Sequence, residues 1–436
     1  MPRPHLGPAL LAVALAGCGG DGDELPAATR ATDLCVGNDH SCALLDDGTV
    51  RCWGSAGPIG VGVEESVGDD EAPSAFPALR FPDEVVQIAC GASNTCALTD
   101  AGSLYCWGGN VSGVLGPDAE RIGDDERADS VGPMALPGPV AHIGASERQV
   151  CATLEDERSF CWGKNGGGSL GLGVPAVDTD AVGDDEAITA YGPVALSTPV
   201  LRWADGSGGR GFRQCALLEG GALQCWGAHG GDGPLGQGYV PPGCEGGACS
   251  VTECCIGDEE PPDSIPPVEL GGAVTDFALN PFGAVALLSD GSVRAWSLSV
   301  VGVPGAQLPI GDDELVTSLP PIQLGEPAIR VASSTATACA ILESGTVRCW
   351  GSTSNLIFES TDPYVGDDEH PSDIEPIPLS GSAIEVGLGT THACALLENG
   401  QVQCWGRGDF GQLGYPGVTE VGGALSIDDA GYVPLF

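Results

Sequence analysis

Residues Cys42–Trp53 read C-A-L-L-D-D-G-T-V-R-C-W, and this phrase recurs at Cys96–Trp107, Cys151–Trp162, Cys215–Trp226, Cys339–Trp350 and Cys394–Trp405. A further copy, Val285–Trp296, reads V-A-L-L-S-D-G-S-V-R-A-W and has lost both cysteines, to Val285 and Ala295. Residues that disappear together are bonded to each other; independent metal ligands or free thiols have no reason to do so. A three-residue turn with Gly48 in the left-handed conformation folds the phrase into a β-hairpin. Centring it on Asp47 sets Leu44 against Val50, Ala43 against Arg51 and Cys42 against Cys52, a separation that suits a disulfide. Gly102, Gly221, Gly345 and Gly400 fill the same turn position, whereas the third copy places Glu157 there. The expectation is therefore six intra-hairpin bridges: Cys42–Cys52, Cys96–Cys106, Cys151–Cys161, Cys215–Cys225, Cys339–Cys349 and Cys394–Cys404. A closed loop of about eleven residues is worth about 2.8 kcal/mol in the chain-entropy picture, so six give a ceiling of about 16 kcal/mol.

Aligned on the tryptophan, the chain divides into seven units spaced 54, 55, 64, 70, 54 and 55 residues apart. Each opens with a short apolar strand ending near glycine, such as Val85–Gly91. The cysteine hairpin and a glycine-rich loop follow. Next comes an acidic phrase, G-D-D-E at Gly68–Glu71, with copies at Gly123–Glu126, Gly183–Glu186, Gly257–Glu260 (G-D-E-E), Gly311–Glu314 and Gly366–Glu369, and a degraded Ile427-Asp428-Asp429. A Pro-led strand such as Pro193–Leu196 or Pro376–Leu379 closes the unit. About four short strands per unit, seven times over, with no sustained helical periodicity, imply an all-β, seven-bladed β-propeller. Repeats of this kind share one continuous core, so residues 34–436 form one domain. The termini are expected to share a blade and latch the ring. The longer units three and four carry the insertions Leu172–Val182 and Gly230–Ile256, expected to protrude from one face.

The formal charge is −44 and Lys164 is the only lysine. Such a surface repels phosphate backbones, so nucleic-acid binding is excluded. Arg3 precedes an apolar run, Ala9–Ala16, that is too short to span a bilayer. Leu15-Ala16-Gly17-Cys18 resembles a bacterial lipoprotein signal, which implies that residues 1–18 are a signal segment with Cys18 as the lipidated first residue of the mature chain. Residues 19–33 are then a flexible tether, the N-terminal lipid is the sole membrane contact, and Gly19 favours the outer membrane or cell surface. Export through an oxidising compartment accounts for 19 cysteines. With Cys18 and the twelve hairpin cysteines set aside, six remain. Cys35 and Cys90 precede the first two hairpins and join adjacent units. Cys244, Cys249, Cys254 and Cys255 are expected to form two local bridges of open connectivity; a metal cluster is the alternative, disfavoured because C-x4-C-x4-C-C matches no zinc spacing.

The phrase W-G-x-G-x-x-G-Q-L-G, present at Trp405–Gly414, resembles the regulator of chromosome condensation repeat, with partial copies at Gly113–Gly116, Ser169–Gly173 and Pro234–Gly236. Units reading C-A-L-L…C-W-G…G-D-D-E resemble its bacterial secreted branch in particular. The resemblance implies a seven-bladed propeller but little about function. Members include a nucleotide exchange factor for a small GTPase, a β-lactamase inhibitor and surface proteins.

The one repeated polar constellation is the acidic phrase: Asp69, Asp70, Glu71; Asp124, Asp125, Glu126; Asp184, Asp185, Glu186; Asp258, Glu259, Glu260; Asp312, Asp313, Glu314; and Asp367, Asp368, Glu369. Asp-rich turns can ligate Ca²⁺ through oxygen, but Asp side chains also cap their own turns. The spacing fits no known calcium loop, so the expectation is structural turns that connect blades, without a required cofactor, and calcium as the alternative. His40 and His392 stand at equivalent places, where other units have Asn94, Gln149, Arg213 and Thr337, and read as polar loop residues. No catalytic triad, phosphate loop or histidine pair is apparent. The sequence thus reads as a non-catalytic, monomeric, lipid-anchored extracytoplasmic scaffold that binds an unidentified protein or surface polymer. The alternatives are a calcium-binding propeller, a hydrolase or lyase with its site in the central channel, and guanine-nucleotide exchange by family analogy.

Overall fold

The computed structural model describes residues 29–117, 119–146, 148–173, 181–205, 213–228, 235–238, 255–257, 260–297, 301–354 and 363–436. Cys18, Cys244, Cys249, Cys254, Asp258, Glu259 and most of both insertions lie outside them. The strands form seven antiparallel sheets, each from one contiguous stretch of chain, arranged as a seven-bladed β-propeller. Blade 1 holds Ala31–Val36, His40–Leu45 and Val50–Gly54. The second blade adds an outer strand: Val85–Cys90, Asn94–Thr99, Leu104–Gly109 and Arg121–Ile122. The inner strands of blades 3 to 7 are Val140–Ala145, Val200–Trp203, Val274–Asn280, Ala328–Ser333 and Ala383–Leu388.

The hairpin has the expected register: Cys42 faces Cys52, with Ala43 opposite Arg51 and Leu44 opposite Val50. All six hairpin cysteine pairs are bonded, at Cα separations of 4.0–4.1 Å. In blade 5, Val285 faces Ala295 in the same register and both are buried. Glu157 takes φ 71°, the conformation that the turn glycine has at Gly48 (φ 76°), so the backbone imposes this geometry whatever the residue. Cys35 is bonded to Cys90 across the junction of blades 1 and 2.

The signature loop after each hairpin works on the next blade. The indole of Trp53 donates to the Gln412 carbonyl of blade 7, Trp107 to Pro58 of blade 1, Trp162 to Val114 of blade 2 and Trp226 to Ser169 of blade 3, at 2.8–3.0 Å. Gly60 (φ 71°) lies so close beneath Trp107 that a Cβ there would sit 2.6 Å from Nε1. A bare backbone at that point lets the indole bury fully. An indole removes on the order of 200 Å² from water, worth about 5 kcal/mol by area, so Trp53, Trp107, Trp162 and Trp226 each hold their blade to the one before it.

Two expectations are corrected. The Pro-led segments do not form the outer strands: Ile377 and Val433 each place a single amide on the third strand of their own blade, at Val347 and Val402. The outer strand is instead the residue pair before the acidic phrase, as at Arg121–Ile122 and Tyr364–Val365, because the conformationally restricted prolines that follow cannot supply a continuous ladder. The termini do not share a blade either. Blade 7 meets blade 1 through the Ala31 amide on the Gly400 carbonyl at 2.9 Å, as Val140 meets Gly102 and Ala383 meets Gly345 elsewhere. Repetition of one junction geometry closes the ring without a special latch.

Candidate functional site

Every inner strand carries a β-bulge at the same place, between Ala31 and Asp33, Val85 and Gln87, Val140 and His142, Val200 and Arg202, Val274 and Asp276, Ala328 and Arg330, and Ala383 and Glu385. A bulge unpairs one backbone amide and re-aims the following side chain. In four junctions that side chain satisfies the freed amide of the next blade. Asp33 Oδ2 accepts from Ile88 at 3.3 Å, Gln87 Oε1 from Ile143 at 3.3 Å, Asp276 Oδ2 from Val331 at 3.0 Å and Glu385 Oε2 from Leu34 at 3.0 Å. The column therefore needs an acceptor more than any one charge, and its residues vary around the ring: Asp, Gln, His, Arg, Asp, Arg, Glu.

Most of these side chains converge on a central cavity of about 340 Å³, bordered by Asp33, Arg202, Asp205, Asp276, Arg330 and Glu385. The rest of its wall mixes small apolar residues, Val36, Ala89, Ala278, Ala332 and Leu388 beside the Cys35–Cys90 bridge, with the polar side chains of Gln87, Thr275 and Ser333. Arg202 makes an ion pair with the buried Asp276 and lies 3.9 Å from Asp205. Asp205 also accepts the Ala145 amide at 3.1 Å; burial nevertheless pushes its carboxyl up to about 6, against the pull of Arg202 and that hydrogen bond. Asp33 Oδ1 and Glu385 Oε2 both accept from the Leu34 amide, at 2.9 and 3.0 Å, which brings the two carboxyls together across the junction of blades 7 and 1. Burial raises Asp33, and burial followed by the charge of Asp33 raises Glu385 well above the usual range. Two carboxylates that share one amide donor repel each other, so proximity adds to burial in favouring the protonated form. Beside the column the exposed residues Val86, Leu201, Ile329 and Ile384 give the same end of the blades an apolar border.

Sequence reasoning missed this cluster. A signal existed: the third residue of each inner strand is the repeat column whose charge changes from unit to unit. Without the bulge, strand alternation assigns that residue to an ordinary blade face, so nothing in the pattern points it at the axis.

The acidic phrases sit at the outer strands, dispersed around the ring. In blades 1, 2, 3 and 5 their three carboxylates present oxygens within 4.8 Å of one another. The first Asp accepts the next amide: Asp69 from Asp70 at 2.9 Å, and Asp367 from Asp368 at 3.0 Å. Burial and then the neighbouring acids push Glu71 and Glu314 up to about 7 and also raise Glu126 and Glu186, where the Asp125 contact leads for Glu126. The phrase glycines pack on the loop of the preceding blade, Gly68 against Gly411 and Gly414, and Gly366 against Gly302. Glu260 is the one described acid of its copy, and Cys255 is described only through its backbone pairing with Ala228.

His40 and His392 are not loop residues. Both begin the middle strand of their blade and are fully buried, and both bond the following blade: His40 Nε2 to Thr95 Oγ1 and His392 Nε2 to Ser41 Oγ, at 2.9 Å. Burial lowers each to about 3, so both imidazoles are neutral at neutral pH. The polar residue before the second hairpin cysteine has an equally hidden task. The Arg51 and Arg348 guanidiniums donate to the carbonyls of Pro73 and Phe76, and of Pro371 and Ile374, which pins the turn after each acidic phrase.

Residues 31–57, 85–114 and 383–412, in blades 1, 2 and 7, match the Regulator of chromosome condensation (RCC1) repeat. The chain is 29% identical over 144 residues to the human X-linked retinitis pigmentosa GTPase regulator, covering 32% of this chain and 13% of that protein. It is 25% identical over 434 residues to the Ultraviolet-B receptor UVR8 of Arabidopsis thaliana, covering 94% and 85%. Among solved structures, human WBSCR16 superposes with a TM-score of 0.61 at 16% identity, covering 85% of this chain and 87% of that one. Yeast RCC1 (Prp20) bound to Kap60 gives 0.58 at 18% identity, covering 94% and 90%. The chain thus spans about an eighth of the first of these relatives and nearly all of the second, and the structural likeness is one of fold.

Proposed function

We propose that the chain is a non-catalytic, monomeric propeller scaffold, lipid-anchored outside the cytoplasm, whose faces bind a protein or a surface polymer. The observation that carries this reading is the cystine in every hairpin except that of blade 5, together with the bridge between blades 1 and 2. Such a set of bridges persists in an oxidising compartment, and Leu15–Cys18 supplies a matching export and lipidation signal. A propeller of this fold can act as a docking platform: yeast Prp20 is bound to Kap60 in one solved structure and is described in another by its binding to Gsp1p and histones. Guanine-nucleotide exchange, an intracellular activity, is disfavoured by the same signal. The decisive test combines palmitate labelling and fractionation of native and Cys18→Ser protein with crosslinking on intact cells. Label on Cys18, envelope localisation and a defined crosslinked partner are expected. A soluble, unlabelled chain with free hairpin thiols would refute the reading. Calcium binding by the acidic phrases is the second reading, favoured by the 4.8 Å clustering of their oxygens. Calorimetric titration of Ca²⁺ into native and Asp70→Asn, Asp125→Asn protein checks it, with silence in both counting against it.

A further inference from the structure

We infer that the central channel is a seat for an alkylammonium group, with the Asp33–Glu385 pair as its anionic contact and the wall around Val36, Ala332 and Leu388 as the sleeve for its alkyl chain. This goes beyond the scaffold reading and does not depend on it.

The argument begins with the charges that face the cavity. Arg202 is engaged by Asp276 and flanked by Asp205. Arg330 donates to the Ile329 carbonyl at 3.2 Å and is exposed. Among the described residues no lysine or arginine lies within ion-pair distance of Asp33 or Glu385; Arg202 and Arg330 act on them only at longer range, and the cavity border sets four carboxyl groups against these two guanidiniums. The backbone amides of Leu34 and Ile88 fix where the carboxylates point, so the pair is held in place before any ligand arrives. Burying two adjacent carboxylates is costly unless something positive stands between them. An ammonium group gains the field of both carboxylates and supplies three donors.

Cavity size and lining narrow the ligand class. About 340 Å³ lies at the small end of small-molecule sites. A hard divalent cation wants six to eight oxygens, whereas the acids here have the apolar Leu34, Val36 and Leu388 within three residues of them along the inner strands. An aliphatic chain gains from that wall and a hydrated metal does not. The same chemistry could arrive as a free small amine or as the lysine side chain of a docked polypeptide. The chain's own charge of −44 draws either one in.

Calorimetry on the oxidised, full-length mature chain at pH 7.5 tests the inference with pentylamine, the neutral 1-pentanol, and lysine capped as its N-acetyl methylamide. Pentylamine should bind at least about tenfold more tightly than pentanol. Binding should release protons, read by repeating the titration in buffers of different ionisation enthalpy, and should weaken as the pH falls. Asp33, Glu385, Asp205, Asp276, Arg202, Arg330 and the neighbouring column residue His142 are the groups whose protonation sets that dependence. Glu385→Gln keeps an acceptor for the Leu34 amide and removes the charge, so affinity should drop about tenfold or more while Asp70→Asn leaves it unchanged. Ala332→Leu fills the sleeve without altering any charge and should also abolish binding, which decides the matter if Glu385→Gln does not fold. Binding of pentylamine alone assigns a free amine; binding of capped lysine as well assigns a partner's side chain. Either upholds the seat. Equal affinity for pentanol, undiminished affinity in Glu385→Gln, or no binding of either amine overturns it.

Discussion

Blade 5 is a natural control for the disulfides, and restoring its cysteines should stabilise the protein. Val285 and Ala295 face each other in the register that Cys42 and Cys52 occupy, and the bonded pairs elsewhere have Cα atoms 4.0–4.1 Å apart. The double substitution Val285→Cys, Ala295→Cys therefore closes an eleven-residue loop without moving the backbone, for about 2.8 kcal/mol. Replacing Val285 gives up roughly one buried methyl, about 1 kcal/mol, which leaves about 2 kcal/mol of net gain. For a chain of about 400 residues the unfolding entropy is large, so this corresponds to only about 2 °C in Tm; urea denaturation is the more sensitive assay. Mass spectrometry under non-reducing conditions first establishes that the bridge has formed. If it forms in native protein and the urea midpoint does not rise, the hairpin cystines are not staples and the reading of the repeat is wrong. Failure to form would mean that blade 5 departs from the shared register.

The pH dependence of stability should contain two opposed contributions. His40 and His392 fall to about 3 in the fold from an ordinary 6.5, so the unfolded chain takes their protons first. Their contribution is complete above pH 6.5 and is lost as the pH falls toward 3. His40→Asn with His392→Asn, which copies the Asn94 of blade 2, should flatten that acid limb in urea titrations at pH 4 to 7. Asp205 runs the other way: its carboxyl rises from 3.8 to about 6, so the fold takes the proton first and stability is lost as the pH rises through 6. Asp205→Asn should stabilise the protein at pH 8 by up to about 3 kcal/mol, with the gain gone below pH 4. Glu157→Gly should add about 0.5–1 kcal/mol, because the turn's positive φ costs glutamate more than glycine loses in chain entropy; thermal melts of the two proteins check it.

The hairpin, its cysteine partners and the number of blades were legible in the sequence because they are local and repeated seven times. A register centred on Gly48 is settled within twelve residues, and the joint loss at Val285 and Ala295 reveals the bonding without any knowledge of the fold. The tryptophans and loop glycines were legible as positions but not as contacts, since Trp107 finds Pro58 and Gly60 only across a blade junction. His40 and His392 read as loop residues because polarity near a glycine suggests a turn; the structure buries them where Thr95 and Ser41 of the following blade supply a partner. The channel was decided by tertiary structure alone. Asp33 and Glu385 stand 352 positions apart in the chain, and each looks like an ordinary surface acid within its own unit. Only the bulges, which turn the third residue of most inner strands toward the axis, and the closing of blade 7 onto blade 1 bring the two carboxyls together on the Leu34 amide.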